Sequence, residues 1–181
     1  MAERATRLSD LGLTARAGRD PALSGITADS RAVRAGMLFA ALPGSATHGA
    51  KFIPVALEQG AVAILTDATG AKLAADVLAD SEVALVVAED PRAALACAAA
   101  LWFGAQPETM VAVGTNGKTS VATFTRQIWA ALGHEAINIG TTGIEGAWSA
   151  PSSHTTPDAI TLQKLLAAAA QDGVTHAAME A

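Results

Sequence analysis

One stretch near the middle of the chain, residues 110–120, limits the possible folds more than any other feature. The largely apolar run 110–113 predicts a short buried strand, and the sequence Gly-Thr-Asn-Gly-Lys-Thr-Ser follows it. Glycines at 114 and 117 allow the backbone to curl so that successive N–H groups face an anion. A helical pattern begins near Lys118 and brings the positive end of its dipole to the same place. The order of strand, glycine turn and helix is the context that a phosphate-binding loop requires.

This stretch predicts a nucleotide site in which individual residues have defined roles. Lys118 can reach the terminal phosphates, and the Thr119 hydroxyl can bind Mg²⁺. The first glycine of the full Walker pattern is missing, because Ala112 stands five residues before Gly117. A purely structural turn is the alternative, but the flanking strand and helix favour phosphate binding. The candidate ATP-binding residues are Gly114, Thr115, Asn116, Gly117, Lys118, Thr119 and Ser120.

Strands and helices alternate on both sides of residues 104–108, a Gly-Ala-Gln-Pro-Glu segment that interrupts the pattern. We therefore expect two α/β domains, residues 1–106 and 107–181. In the first, the patterns predict strands at 26–28, 37–42, 61–65 and 83–88, and helices at 50–59, 72–78 and 91–103. In the second, they predict a helix at 118–132, a strand at 136–139, a loop or hairpin at 145–153, a helix that starts at the 156–158 cap signature and ends near 173, and a strand at 174–179.

The end of the last predicted strand has a chemical interpretation. Parallel sheets bind ligands beyond the carboxyl ends of their strands. The phosphate loop follows one such end, and Glu180 stands at another. The Glu180 carboxylate would give Mg²⁺ an oxygen ligand there. Alternatively, Glu180 is a solvated residue at the end of a strand, and the spacing leaves both interpretations open. We also expect an exposed sheet edge at the 174–179 strand.

Composition excludes several classes of partner. The net charge is −5, only 4% of residues are aromatic, and tyrosine is absent. A nucleic-acid-binding surface would need a basic patch and stacking side chains. The partners are therefore expected to be small anions carried with Mg²⁺, whereas nucleic acid is not expected.

The single cysteine and the absence of a signal sequence give an indication of the cellular compartment. Cys97 lies in an apolar run and has no partner for a disulfide, so we expect a buried side chain. One cysteine and no signal sequence indicate a reducing cytoplasm. The longest apolar run is too short to cross a bilayer, so no membrane insertion is expected.

Four segments together resemble a known family. They are residues 26–31 with 37–44, the loop 114–120, the His-Thr-Thr-Pro-Asp segment at 154–158, and the strand 173–180 that ends in Met-Glu. In this order they resemble the Mur ligases, the ATP-dependent amide-forming enzymes of peptidoglycan synthesis. The resemblance covers nearly the whole chain. It implies a Rossmann-like α/β N-terminal domain followed by an incomplete P-loop domain with a parallel sheet.

The resemblance also implies roles for individual residues. Ser30 and the loop residues Ser45, Ala46 and Thr47 would hold the uridine-diphosphate part of the substrate, although residues 29–31 alone read as a local turn with a solvated ion pair. Thr155 and Thr156 would contact the UDP-MurNAc-dipeptide. Residues 114–120 would bind ATP, with Lys118 as the catalytic residue. Thr119 and Glu180 would bind Mg²⁺.

The reaction implied by the resemblance transfers the γ-phosphoryl group of ATP to the D-glutamate carboxylate of UDP-MurNAc-L-Ala-D-Glu. The amine of a diamino acid, diaminopimelate or lysine, then attacks the acyl phosphate. Because the family continues beyond residue 181, we expect this chain to be inactive alone and to retain only substrate binding and weak nucleotide binding. Two alternatives remain: a non-catalytic UDP-sugar-binding module, and a generic P-loop phosphotransferase.

Overall fold

The structure, a computed structural model, describes residues 6–114, 116–150 and 157–180. The chain divides between Trp102 and Phe103 into two compact units, each built around its own four-stranded sheet. The expected α/β class is confirmed. No helix within the described ranges has both the length and the hydropathy needed to cross a membrane.

The first unit contains an all-parallel sheet in the order β1-β2-β3-β4. Its strands are Gly25–Thr27 (β1), Met37–Ala40 (β2), Ala63–Thr66 (β3) and Ala84–Val87 (β4). Its helices are Ile53–Glu58 (α1), Ala68–Leu73 (α2), Ala75–Ala79 (α3) and Pro91–Phe103 (α4). All residues of β1 and β3 are buried, as continuous apolar strands of parallel sheets usually are. Since the four strands run in one direction, their carboxyl ends lie along the same edge.

The core of this unit joins α1 to the sheet. Ile53 and Ala56 of α1 belong to one buried cluster with Phe39 and Ile64. Phe39 is 1% exposed, so its replacement by alanine is expected to cost about 3–5 kcal/mol. The packing holds α1, and the loop that precedes it, against the carboxyl half of β2.

Two predicted helices differ from the observed ones in their boundaries. The helix predicted at 50–59 starts as a 3₁₀ turn, Gly49–Phe52, and becomes α-helical at Ile53. Pro54 lies in the first α-helical turn, where no amide hydrogen is needed. The helix predicted at 72–78 begins earlier, at Ala68, because the carboxylate of Asp67 accepts a hydrogen bond from the Gly70 amide and caps it. It is also interrupted at Ala74, which separates α2 from α3.

The second unit has a mixed sheet in the order β5-β8-β6-β7. Its strands are Thr109–Val113 (β5), Ala136–Gly140 (β6), Gly143–Gly146 (β7) and His176–Glu180 (β8), and its helices are Lys118–Ala131 (α5) and Ala159–Gln171 (α6). Only β7 is antiparallel to its neighbour, and it forms a hairpin with β6. Leu166 and Ala169 of α6 pack in one buried cluster with Ile137 and Ile139 of β6.

The predicted position of the free sheet edge was wrong. Strand β8, expected at the edge, pairs with β5 on one side and β6 on the other. Strand β5, expected to be buried, lies at the edge and is largely exposed, with Met110 43% accessible. Apolar content predicts a strand, but the order of strands depends on crossovers that the sequence does not encode locally.

Cys97 was also wrongly placed. Helix α4 buries Pro91, Leu95, Ala98 and Ala99, whereas Cys97 is exposed. At about 100° per residue, Cys97 lies about 200° around the helix from Leu95 and therefore faces solvent. The run of alanines surrounding it made both faces of the helix look equally apolar.

Candidate functional site

The loop between β2 and α1 stands at the carboxyl edge of the first sheet. Pro43 and His48 form an antiparallel bridge at its base, and the Gly49 amide donates to the Leu42 carbonyl at 2.8 Å. One internal hydrogen bond, from the Gly44 amide to the Thr47 carbonyl at 3.2 Å, closes the tip. The three predicted substrate residues, Ser45, Ala46 and Thr47, are exposed there. A ligand beyond the sheet edge could therefore reach them.

Ser30 lies in the turn after the neighbouring strand β1. The carboxylate of Asp29 accepts hydrogen bonds from the Arg31 amide at 3.0 Å and from its guanidinium at 2.8 and 2.9 Å. The Arg31 guanidinium and then the Arg31 amide hold the pKa of Asp29 below its usual value. Because both side chains are exposed, this ion pair shapes the turn and adds little stability. The predicted turn with a solvated ion pair is confirmed, and it places Ser30 at the same sheet edge as the 43–48 loop.

Three residues at this edge were missed by the sequence analysis. The ring of His48 lies 3.0 Å from the carboxylate of Asp67, which follows β3. The guanidinium of Arg92, in the first turn of α4, donates to the Pro43 carbonyl. The position of Asp67 directly after an apolar strand could have indicated this edge, and so could that of Arg92 in the first turn of the helix that follows β4.

In the second unit, the segment after β5 turns and enters a helix as predicted. Strand β5 ends at Val113, and α5 begins at Lys118. Gly117 caps the helix in the left-handed conformation, with φ 78°, which glycine adopts without strain. The Val121 amide then donates to the Gly117 carbonyl at 2.9 Å. The helix amino end thus opens beside the end of β5.

The other predicted nucleotide residues are accessible. Gly114, Asn116, Thr119 and Ser120 are exposed, and Lys118 is partly buried. Thr115 lies outside the described residues, as do Thr155 and Thr156 of the predicted substrate contact. Asp158, just after that segment, caps α6 by accepting from the amides of Ile160 and Thr161.

Glu180 occupies a central place at this sheet edge. It pairs in register with Val113, the last residue before the phosphate loop. Gly140 ends the strand on the other side, and a side-chain Cβ built there would lie 2.2 Å from Glu180 Oε1. Glycine at this position leaves the space that the carboxylate occupies.

The surroundings of Glu180 fit a cation ligand. The residue is only 8% exposed, and its carboxylate lies beside Gly140 at the end of the neighbouring strand. A buried carboxylate is costly unless it is paired or coordinates a metal. Among the described residues, no group of three or more His, Cys, Asp or Glu side chains could hold a metal by itself. Mg²⁺ commonly takes one or two protein ligands and completes its shell with phosphate oxygens and water, so the site suits Mg²⁺ carried by a nucleotide.

Comparison with known families shows to which protein family this chain belongs. The model described as "Mur ligase family, catalytic domain" matches residues 22–102, and the "Mur ligase middle domain" matches residues 113–181. The chain belongs to the Mur ligase family. The two matches cover the 43–48 loop of the first unit and the phosphate loop with Glu180 of the second.

Two relatives of this Mur ligase chain are both named UDP-N-acetylmuramoyl-L-alanyl-D-glutamate–2,6-diaminopimelate ligase. The protein from Brucella melitensis is 53% identical over 161 residues, which cover 88% of this chain and 32% of the relative. That from Agrobacterium fabrum is 49% identical over 165 residues, covering 88% and 31%. A solved structure of a ligase with the same name superposes with a TM-score of 0.71 at 25% identity, covering 98% of this chain and 36% of the other. The chain thus spans about a third of the length of the curated relatives it matches.

Proposed function

We propose that this Mur ligase chain supplies the substrate-binding and phosphate-binding parts of a ligase that joins diaminopimelate to UDP-N-acetylmuramoyl-L-alanyl-D-glutamate. The names of the relatives support this substrate pair, and favour diaminopimelate over lysine. The observation that carries the proposal is the juxtaposition of Glu180 with Val113, the last residue before the glycine turn. Peptidoglycan precursors of this kind are made in the cytoplasm, which is the location we propose.

The first unit would bind the uridine-diphosphate end of the substrate. Ser30 and the exposed loop residues 45–47 follow adjacent parallel strands and therefore meet at one edge. Open parallel sheets commonly bind nucleotides beyond this edge. The guanidinium of Arg92 adds positive charge near the same loop.

The second unit would bind the phosphates of ATP. The amides of residues 114–120 and the amino end of α5 suit an anion, and the ammonium of Lys118 would neutralise the charge that develops during transfer. Thr119 and Glu180 would hold Mg²⁺. When bound, Mg²⁺ would lower the electrostatic cost of bringing the anionic nucleotide and substrate together.

The reaction would proceed in two steps. A D-glutamate carboxylate oxygen forms a bond to the γ-phosphorus as the bond to the β–γ bridging oxygen breaks and ADP leaves. The amine of diaminopimelate then attacks the acyl carbon, inorganic phosphate leaves, and the amine loses a proton. Lys118 acts in the first step, where negative charge spreads over the transferred group.

Calorimetric titration with ATP and Mg²⁺ tests the phosphate site. We expect Lys118→Ala to weaken binding about 10- to 100-fold, because a charge-assisted contact to phosphate is lost. We expect Glu180→Gln to reduce the Mg²⁺ dependence of ATP binding and to leave metal-free ATP binding nearly unchanged. If both variants bound ATP and Mg²⁺ as the unaltered chain does, the function proposed for this unit would be contradicted.

A further inference from the structure

His48 connects three parts of the first unit at the base of the 43–48 loop. Its Nδ1 accepts a hydrogen bond from the Ala50 amide at 3.0 Å, which caps the 3₁₀ turn before α1. Its Nε2 lies 3.0 Å from Asp67 Oδ1 at the end of β3. Its backbone pairs with Pro43 across the loop. The loop is therefore tied to two neighbouring elements through one side chain.

The hydrogen-bond partners assign the tautomer of this histidine. Because Nδ1 faces a donor, it presents its lone pair, and the ring proton is on Nε2, where it is donated to Asp67. Asp67 Oδ1 also accepts from the Gly70 amide at 2.6 Å. One carboxylate oxygen thus holds both the loop and the first turn of α2.

The pair packs closely against Gly70, the residue that follows Asp67 by three. A Cβ on Gly70 would lie 2.1 Å from Thr66 Oγ1 and 2.6 Å from His48 Cε1. Thr66 is fully buried, and its hydroxyl donates to the Ala41 carbonyl at 2.8 Å, which ties β3 to the end of β2. The side chains of His48 and Asp67 are 14% and 21% exposed. Beyond this base the loop is exposed and has a single internal hydrogen bond.

We propose that His48, hydrogen-bonded to Asp67, is a positioning residue that holds residues 43–47 in the conformation that binds the uridine-diphosphate part of the substrate. This inference rests on the function proposed for the first unit. The loop tip has too few contacts of its own to keep one conformation, so its order depends on its base. Arg92, through the Pro43 carbonyl, is the second tie.

Three substitutions separate the contacts of the pair. His48→Asn keeps an acceptor for the Ala50 amide but cannot reach Asp67. Asp67→Ser keeps a cap for Gly70 but cannot reach His48. His48→Gln extends to the position of Nε2 and can restore the contact with Asp67.

Calorimetry with UDP-N-acetylmuramoyl-L-alanyl-D-glutamate gives the main readout. We expect His48→Asn and Asp67→Ser each to weaken binding about tenfold, and the double variant to weaken it no more than either one. We expect His48→Gln to bind within about threefold of the unaltered chain. The inference would be overturned if the losses of the two single variants added up in the double variant. It would also be overturned if His48→Asn, Asp67→Ser and the double variant all kept the affinity of the unaltered chain.

Asp20→Ala is the matched control. Asp20 belongs to the same unit and accepts hydrogen bonds from the amide and hydroxyl of Ser9 at 2.8 and 2.9 Å, away from the loop. The Asp20→Ala substitution should lower the melting temperature without lowering the affinity for the UDP substrate. If affinity follows melting temperature across all variants, His48 is only a stabilising residue and the inference fails.

Hydrogen exchange of the Gly49 amide separates this inference from the proposed function. The amide donates to the Leu42 carbonyl at the loop base, so its exchange should accelerate in His48→Asn and Asp67→Ser and remain slow in Asp20→Ala. If the unaltered chain fails to bind the UDP substrate, the function proposed for the first unit is wrong. Unchanged Gly49 exchange in a chain that does bind would contradict the positioning role alone.

Discussion

At the scale of single residues, the phosphate binding proposed for residues 114–120 would depend on backbone geometry as much as on charge. Gly117 has φ 78° at the helix start, and Gly133 has φ 87° just after the same helix. A Cβ at either position would meet no atom within 4 Å, so only backbone strain opposes a larger side chain. The two glycines therefore form a matched pair, one within the candidate site and one outside it.

We predict that Gly117→Ala and Gly133→Ala each lower the free energy of unfolding by about 1–2 kcal/mol, the cost of a left-handed alanine. Only Gly117→Ala should weaken binding of ATP with Mg²⁺, because Gly117 alone belongs to the proposed phosphate-binding loop. Urea denaturation and calorimetry of both variants measure these effects. Equal loss of ATP binding in the two variants would show that the loop geometry has no special role.

The carboxylate of Asp67 gives a pH-dependent contribution to stability. The Gly70 amide, and then His48, hold its pKa below the usual 3.8 although burial acts in the opposite direction. A carboxyl group with a depressed folded pKa stabilises the fold above its unfolded pKa, and that stability is lost as pH falls through the folded value. We predict that the unfolding free energies of Asp67→Asn and the unaltered chain differ most above pH 5 and converge at lower pH. A difference that is constant over this range in urea titrations would contradict the prediction.

At the scale of elements, α5 and α6 cover the second sheet to different extents. Phe124 and Ile128 of α5 are 59% and 60% exposed, Leu132 directly after it is 69% exposed, and Leu166 of α6 is fully buried. The apolar residues of α5 recur at helical spacing, as those of a core-facing helix do. In the described structure this face and the edge of β5 are open to solvent.

We predict that Leu166→Ala lowers the free energy of unfolding by about 2–5 kcal/mol, because it leaves a cavity in the core. Ile128→Ala should cost less than about 1 kcal/mol, since little apolar surface is returned to water. Chemical denaturation at several protein concentrations measures both. A loss in Ile128→Ala equal to that in Leu166→Ala would mean that the α5 face is covered in solution.

These elements also show what the sequence could and could not predict. The Asp90 cap, the glycine turn and the strand–helix alternation are local signals, and each matched an observed boundary. The helix predicted from the Thr156-Pro157-Asp158 signature begins at Ala159, with Asp158 as its cap. The order of β5, β8 and β6 is set by long-range pairing, so the edge strand was misassigned. The contact between His48 and Asp67 spans 19 residues, and only the fold brings them together. Local signals thus predicted the strand, glycine turn and helix around residues 113–118, whereas the order of the strands and the contact between His48 and Asp67 required the structure.

At the scale of the whole molecule, the chain corresponds to about a third of its relatives, and 32% of the Brucella protein is matched. We predict no amide product above background when the chain is mixed with ATP, Mg²⁺, UDP-MurNAc-L-Ala-D-Glu and diaminopimelate. The physical reason is that the roles proposed for the described residues are binding of the UDP substrate and of the ATP phosphates, whereas the second step also needs the amine held beside the acyl carbon. Turnover near that of a full-length ligase would contradict this prediction.

The most direct test of the central claim is an amide NMR titration of the ¹⁵N-labelled chain with ATP and Mg²⁺. The account predicts saturable shifts at Gly114, Gly117, Lys118 and Glu180, because these residues border one sheet edge. The same titration of Lys118→Ala should shift them only at far higher ATP concentrations. Shifts confined to other residues, or identical titrations of the two proteins, would contradict the assignment of this loop as a phosphate site.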